Sequence, residues 1–211
     1  PIDNNMKHTL RKWLSILQNK AGASVLTILD KHRKLTTLNN SPMQHYIFSD
    51  AATDSNPPGL GGYMQGYVWN IPLTQQQANT LHITCLELIA TVISTITFAN
   101  LLQENAHVIL MSDALATAYI LQKDNTASED MAHVLQLAEA SPIFSKLACR
   151  CEIAHIYGEA NTLSDAASRS MWGVINSVCN SLKLTPCHID VPHEALNILT
   201  TALNTKHNKI V

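Results

Sequence analysis

Apolar residues occur along this chain in two arrangements, as short continuous or alternating runs and as longer stretches with helical spacing. The short runs are bounded by turn-forming residues and predict β-strands. The predicted strands are residues 45–51, 61–70, 81–84, 107–113 and 149–158. Stretches with apolar residues three and four positions apart predict helices. The predicted helices are residues 85–102, 114–123, 128–140 and 142–147, a helical region at 161–184 and a last helix from about residue 193.

This order of elements predicts an α/β fold. We expect a mixed five-stranded sheet, flanked by helices, in which the first three strands are antiparallel. The sheet domain is predicted to span residues 45–170. A helical connecting segment, residues 1–44, is expected before it, and a helical C-terminal appendix, residues 171–211, after it.

Composition places the chain among globular proteins, with 46% hydrophobic and 14% charged residues. The most apolar stretch, residues 85–102, carries Glu87 and several hydroxyl side chains, so we expect a core helix and no membrane partner. The five cysteines include no C-x-x-C pair, which argues against a disulfide framework and a zinc site. With no signal-peptide pattern at the start, we expect a reducing intracellular location, cytoplasm or nucleus. The first residue is Pro1, from which we expect a piece of a longer chain.

Charge is distributed unevenly along the chain. Before residue 35, seven basic residues face two acids, a net charge of +5, whereas residues 45–169 carry twelve acids and four basic residues, a net charge of −8. A basic segment beside an acidic domain fits a nucleic-acid enzyme with a metal-binding pocket. On composition alone, ordinary surface charge explains the asymmetry equally well.

Four acids occupy comparable places in the predicted elements. Asp50 ends the first strand, and Asp113 ends a short apolar strand later in the chain. Glu87 lies in the first predicted turn of a long helix, and Asp165 lies early in the helix after the last long strand. Because ligands of such sheets bind at strand ends and helix N-termini, we expect these four carboxylates to converge.

Converging carboxylates require cations to neutralise them. Hard oxygen ligands favour Mg²⁺, for which Mn²⁺ can substitute, over zinc. Two such ions about 3.5–4 Å apart form the usual clamp for phosphodiester hydrolysis, in which one ion activates water and the other stabilises the leaving oxygen. Each acid alone has an ordinary structural explanation, as a turn former, a helix cap or a helix-start charge. Their joint placement predicts a site for two Mg²⁺ ions.

Several segments together resemble the ribonuclease H domain of retroelement reverse transcriptases, particularly those of DIRS-like and LTR-retrotransposon-type elements. In chain order they are SDAATD (49–54), a Gly-Gly pair (61–62), HITCLELIA (82–90), HVILMSDALATAYI (107–120) and HIYGEANTLSDAASR (155–169). The resemblance implies an RNase H-like fold and an endonuclease that cleaves the RNA strand of RNA/DNA hybrids during reverse transcription. Its last segment is the most specific.

The resemblance also implies roles for individual residues. The four acids match the catalytic, metal-binding set of the family. His155, ten residues before Asp165, matches a loop histidine that assists product release or proton transfer. Asn161 matches an asparagine that orders this loop, and Gly158 matches the glycine that turns it.

Recognition of the RNA strand requires contacts with 2′-hydroxyls across a wide minor groove. The candidates are the predicted glycine turn with Gly61 and Gly62, and Thr84. An acidic domain should bind nucleic acid weakly by itself. We therefore expect an RNA/DNA hybrid as partner, together with a covalently or non-covalently attached reverse transcriptase polymerase domain.

Two alternative functions remain open at this point. The first is a catalytically inactive RNase H-like scaffold, which is consistent with Ala114 in place of the serine or asparagine that usually follows the third acid. The second is a DNA-cutting nuclease of the same fold. Such enzymes usually lack the ending that runs here from His155 to Asp165.

Overall fold

The computed structural model describes residues 44–103, 106–148 and 151–210 of the chain. The predicted connecting segment, apart from Gln44, lies outside the described residues, and so do residues 149 and 150 of the last predicted long strand. Residues 43–211 form one compact unit, which includes the sheet and the C-terminal helices.

The fold is α/β, with one mixed sheet of six strands. In chain order the strands are β1 (Gln44–Ala52), β2 (Gly59–Met64), β3 (Tyr67–Pro72), β4 (His107–Ser112), β5 (Cys151–His155) and β6 (Cys187–His188). Their order across the sheet is β5-β4-β1-β2-β3-β6. The first three strands are antiparallel, as predicted, and the other pairs are parallel. The predicted count of five strands is wrong, because the two-residue β6 adds a sixth beside β3.

The second and third predicted strands differ from the observed ones. The predicted strand 61–70 is a hairpin, since the chain turns at Gln65 and Gly66, which have φ angles of 49° and 94°. The predicted strand 81–84 is the start of a helix, because the side chain of His82 accepts a hydrogen bond from the Thr84 N–H and caps that helix.

Eight α-helices lie within the described residues. They are α1 (Gln75–Thr80), α2 (Ile83–Phe98), α3 (Leu115–Lys123), α4 (Glu129–Ala140), α5 (Pro142–Ala148), α6 (Thr162–Ser168), α7 (Trp172–Ser181) and α8 (His193–Ile210). Short 3₁₀ turns occupy Ala99–Leu101 and Gly158–Ala160. The segment of α1, for which the sequence predicts neither a strand nor a helix, becomes helical because Thr74 and Gln77 form a capping box.

Helix α2 forms the centre of the core. It packs on β1 and β2 and against α4 and α8, and its residues from Cys85 to Phe98 are all buried. Residues 83–101 are long and apolar enough to cross a membrane, but 78% of that window is buried inside the protein, as is usual for a core helix. Two hydroxyls of α2 satisfy buried partners, Thr91 with Ser49 and Ser94 with the indole N–H of Trp69.

Helices α2 and α6 cover opposite faces of the sheet at β1 and β2. A Cβ atom on Gly61 would lie 2.3 Å from the backbone nitrogen of Ser168, at the end of α6. A Cβ atom on the next residue, Gly62, would lie 2.4 Å from Ser94 Oγ of α2. Because neighbouring strand residues face opposite sides, these contacts place one helix on each face. Both glycines therefore permit helices to approach the sheet closely.

Replacing Gly61 by alanine is expected to destabilise the protein by about 1–3 kcal/mol, because its Cβ would overlap the rigid backbone of α6. Gly173→Ala is the matched control, since Gly173 lies in α7 with no atom within 4 Å of the added Cβ. That change should raise the free energy of unfolding by about 0.5–1 kcal/mol. Urea unfolding of both variants measures the difference, and equal stabilities would contradict the close approach of α6 to β2.

Candidate metal centre

Asp50 enters the site from β1, which lies between β4 and β2 in the sheet. It is 5% exposed, and β1 continues two residues beyond it, to Ala52. Asp50 therefore lies two residues before the end of β1, and not at the end as predicted. The hydroxyl of Ser168 donates a hydrogen bond to Asp50 Oδ2.

Glu87 enters the site from α2. That helix begins at Ile83, two residues before its predicted start, so Glu87 lies past the first turn and not in it as predicted. The helix dipole acts mainly on first-turn residues and contributes correspondingly less here. The backbone N–H of Ala51 donates to Glu87 Oε1 at 3.1 Å. The other oxygen, Oε2, is buried and has no hydrogen-bond partner among the described residues.

Asp113 follows β4 directly and is half-buried. The N-cap of the next helix, α3, is Ala114, and no side chain forms a capping bond there. A structural role for Asp113 as the cap of α3 is therefore excluded.

Oxygen atoms of Asp50, Glu87 and Asp113 lie within 4.8 Å of one another. We call these three residues the acidic triad. Burial, together with the charges of Asp50 and Asp113, raises the pKa of Glu87 to about 9. Burial also raises the pKa of Asp50 to about 6, although the hydrogen bond from Ser168 opposes this effect. Burial and the charge of Asp165 raise the pKa of Asp113.

Asp165, the fourth predicted ligand, does not join this cluster. It lies in α6, and its Oδ1 accepts a hydrogen bond from Arg169 Nε at 2.7 Å. Arg169 also binds Asp54, with 2.9 Å between Nη1 and Oδ1. The charge of Asp165 still raises the pKa values of the triad acids. The expectation of four converging carboxylates is thus met by three, with the fourth nearby but ion-paired.

The residues predicted around the acids lie close to them. His155 is the last residue of β5, where it pairs with Ser112 of β4, so it lies in the predicted strand 149–158 and not in the loop that the resemblance implies. Its Nε2 lies 3.0 Å from the carbonyl oxygen of Asp113. Gly158 begins the 3₁₀ turn that follows, and a Cβ atom on it would lie 3.3 Å from Asp113 Oδ2. Any larger residue there would crowd the carboxylate.

Asn161 is buried and links α6 to the sheet. Its side-chain nitrogen donates to the carbonyl oxygen of Ser49, the neighbour of Asp50, at 3.0 Å. Its side-chain oxygen accepts a hydrogen bond from the hydroxyl of Ser164. Asn161 therefore ties the start of α6 to β1, and the loop-ordering role that the resemblance implies stays a prediction.

The predicted substrate contacts require a correction. Gly61 and Gly62 are buried inside β2 and not in an exposed turn, so both are packing residues without a surface for substrate. Thr84 is half-buried at the start of α2, with its hydroxyl 3.0 Å from His82 Nδ1. It lies three residues before Glu87 on the same helix.

Sequence reasoning missed the roles of Ser168, Arg169 and Asp54. The i,i+4 spacing of Asp165 and Arg169 on a predicted helix is a sequence signal for their ion pair. The contacts of Ser168 with Asp50 and of Arg169 with Asp54 join residues more than 100 positions apart and have no comparable signal.

The acidic triad fits a divalent cation. Its potential ligands are all carboxylate oxygens, which suit Mg²⁺ or Mn²⁺. Glu87 Oε2 is a buried acceptor that such an ion would satisfy. The ion would also offset the repulsion that raises the carboxyl pKa values.

In metal-free protein, Glu87→Gln should stabilise the fold at high pH. The native state keeps a proton on Glu87 up to about pH 9 that the unfolded chain releases near pH 4.5, so stability falls as pH rises through this window. Glutamine lacks this proton linkage. From pH 5 to pH 8, the free energy of unfolding of the variant should therefore rise by at least about 1.4 kcal/mol relative to that of wild type. This difference is the equivalent of one pKa unit. Urea unfolding in EDTA measures the gain, and the exposed Glu159→Gln variant should show none.

Mn²⁺ should raise the Tm of the wild-type protein by about 5–10 °C at a concentration one hundred times its dissociation constant. Asp50→Asn removes a ligand and should lose most of this shift. Asp190→Asn, which changes an exposed acid between β6 and α8, should retain it. Thermal unfolding with and without Mn²⁺ gives the comparison, and equal shifts in all three proteins would place cation binding elsewhere.

Comparison of the sequence with family models and with curated proteins finds no match.

Proposed function

We propose that this protein is a metal-dependent ribonuclease H of the retroelement reverse transcriptase type. It would hydrolyse the RNA strand of RNA/DNA hybrids internally, leaving 5′-phosphate and 3′-hydroxyl ends. The observation that carries the proposal is the acidic triad, in which carboxylate oxygens from three separate elements lie within 4.8 Å of one another. One of these oxygens, Glu87 Oε2, is buried without a hydrogen-bond partner among the described residues.

The order of the elements supports an RNase H-like fold for the sheet domain. Three antiparallel strands precede a long helix, and two parallel strands follow on the other side of β1. The triad acids come from the first strand, this helix and the end of the fourth strand, as the resemblance implies. The sixth strand, β6, is an addition at the far edge of the sheet.

The residues of the chain have distinct roles in the proposed reaction. Asp50, Glu87 and Asp113 would hold Mg²⁺, and Asp165, which is ion-paired with Arg169, would be a ligand of a second ion. The bound ions would activate the attacking water and stabilise the leaving oxygen. The Ser168 hydroxyl and the Ala51 N–H hold the carboxylates of Asp50 and Glu87 in place.

Substrate affinity has to come largely from outside the acidic domain. Residues 45–169 carry a net charge of −8, and Arg169, the basic residue bound to Asp165, is already ion-paired. Because phosphate contacts dominate nucleic-acid affinity, we propose that the basic residues before position 35 or an attached polymerase domain hold the hybrid. Thr84 remains a candidate for contact with a 2′-hydroxyl.

Cleavage of an RNA/DNA hybrid tests the proposed function. The full chain in Mg²⁺ should cut the labelled RNA strand and leave the DNA strand intact. Asp113→Asn should reduce the rate at least about a hundredfold, because it removes a charged ligand from the reacting centre. Asp190→Asn should cut at the wild-type rate. Gel analysis of both labelled strands provides the measurement.

Two other outcomes would overturn the proposal. Absence of cleavage by the wild-type chain, with a polymerase domain supplied, would favour an inactive RNase H-like scaffold. Cutting of duplex DNA that is lost in Asp113→Asn would favour a DNA nuclease of the same fold.

A further inference from the structure

Arg169, at the C-terminal end of α6, joins two acidic side chains from different parts of the chain. Its Nε donates to Asp165 Oδ1 at 2.7 Å, and its Nη1 donates to Asp54 Oδ1 at 2.9 Å. Asp54 lies in the loop after β1, and its side chain is 74% exposed, against 42% for Asp165 and 29% for Arg169. The guanidinium thus connects the exposed loop to α6 beside the acidic triad.

The geometry of this bridge depends on the guanidinium. Its N–H groups point in fixed directions within one plane, which lets two of them bind different carboxylates at once. An ammonium group is a compact point charge and does not reproduce this planar arrangement. Asp165 is consequently held by both the charge and the shape of Arg169.

Two neighbouring residues thereby occupy oxygens that a cation would need. Ser168 donates to Asp50 Oδ2, and Arg169 donates to Asp165 Oδ1. Glu87 Oε2, in contrast, is buried and unpartnered within the described part of the chain. A first cation at the triad gains the most, because no salt bridge within the described residues joins a basic side chain to Asp50, Glu87 or Asp113. A second cation that binds Asp165 through Oδ1 has to displace Arg169 from that oxygen.

We propose that Arg169 is a positioning residue that holds Asp165 away from the acidic triad, so that the site binds one divalent cation readily and a second only when Asp165 leaves Arg169. The inference rests on the proposed cation-binding function of the same site. The apparent affinity for the second cation is lowered by the fraction of molecules in which Asp165 is bound to Arg169. The cation class is that of Mg²⁺ and Mn²⁺.

Mn²⁺ binding to the full chain tests this inference without any activity measurement. Free Mn²⁺ is followed by electron paramagnetic resonance in wild type and in Arg169→Gln, Arg169→Lys and Lys183→Gln. Lys183→Gln is the matched control for loss of a positive charge, since Lys183 is exposed and lies after α7. Circular dichroism and Tm values establish that each variant is folded.

We expect wild type to bind a first Mn²⁺ at least about tenfold more tightly than a second. Arg169→Gln should tighten the second dissociation constant about tenfold and leave the first within about twofold. Arg169→Lys should tighten the second site by less than Arg169→Gln, because lysine keeps the charge that holds Asp165 but loses the planar geometry. Lys183→Gln should match wild type, and Asp165→Asn should lose the second site.

Three results would overturn the inference. If Arg169→Lys behaves like wild type, the residue acts through its charge alone. If Arg169→Gln weakens the second site, Arg169 prepares Asp165 for the cation and does not withhold it. If wild type binds no Mn²⁺ at all, the proposed cation-binding function fails together with the inference, whereas the first two results leave that function intact.

Discussion

Carboxylates brought together inside a protein repel one another, and in the low-dielectric interior this repulsion is only weakly screened. In this protein Asp50 and Glu87 are 5% and 7% exposed, and their oxygens lie within 4.8 Å of each other and of Asp113. The raised pKa values of Asp50 and Glu87 mean that ionising these carboxyl groups costs more free energy in the folded protein than in the unfolded chain. The ionised cluster therefore lowers the stability of the fold. Within the described residues no basic side chain lies inside this cluster, so a divalent cation could offset the repulsion, and this is the basis of the proposed nuclease function.

The rest of the fold can be understood as the support for this cluster. The central strand β1 and the core helix α2 hold two of the acids on rigid elements, and β4 presents the third where it ends. On the other face, Gly61 allows α6 to lie against the sheet, which brings Ser168 to Asp50. Packing of small residues, and not only the acids themselves, therefore determines the geometry of the site.

The fourth acid, Asp165, has a different environment from the three acids of the triad. Asp165 is partly exposed and ion-paired with Arg169, which partly compensates its charge, whereas Glu87 is buried with one oxygen unpartnered among the described residues. The acidic triad lacks an ion pair among the described residues, whereas Asp165 has one. This difference favours binding of a first cation at the triad before a second cation at Asp165. For a nuclease that needs two ions, such a difference links the second ion to movement of a side chain.

Local sequence determined most of the elements and the choice of candidate residues. Helical spacing, capping residues and short apolar runs act between neighbours, and they located β1, β4, α3 and α4 to within one or two residues. They also singled out Asp50, Glu87 and Asp113.

Only the tertiary structure decided where the chain departs from its local pattern. The hairpin at Gln65 and the pairing of β6 with β3 depend on contacts between strands. The meeting of three acids, and the exclusion of the fourth by Arg169, were likewise decided by the register of the sheet and the packing of α6, because the distance between residues far apart in the chain is set by those contacts and not by their neighbours.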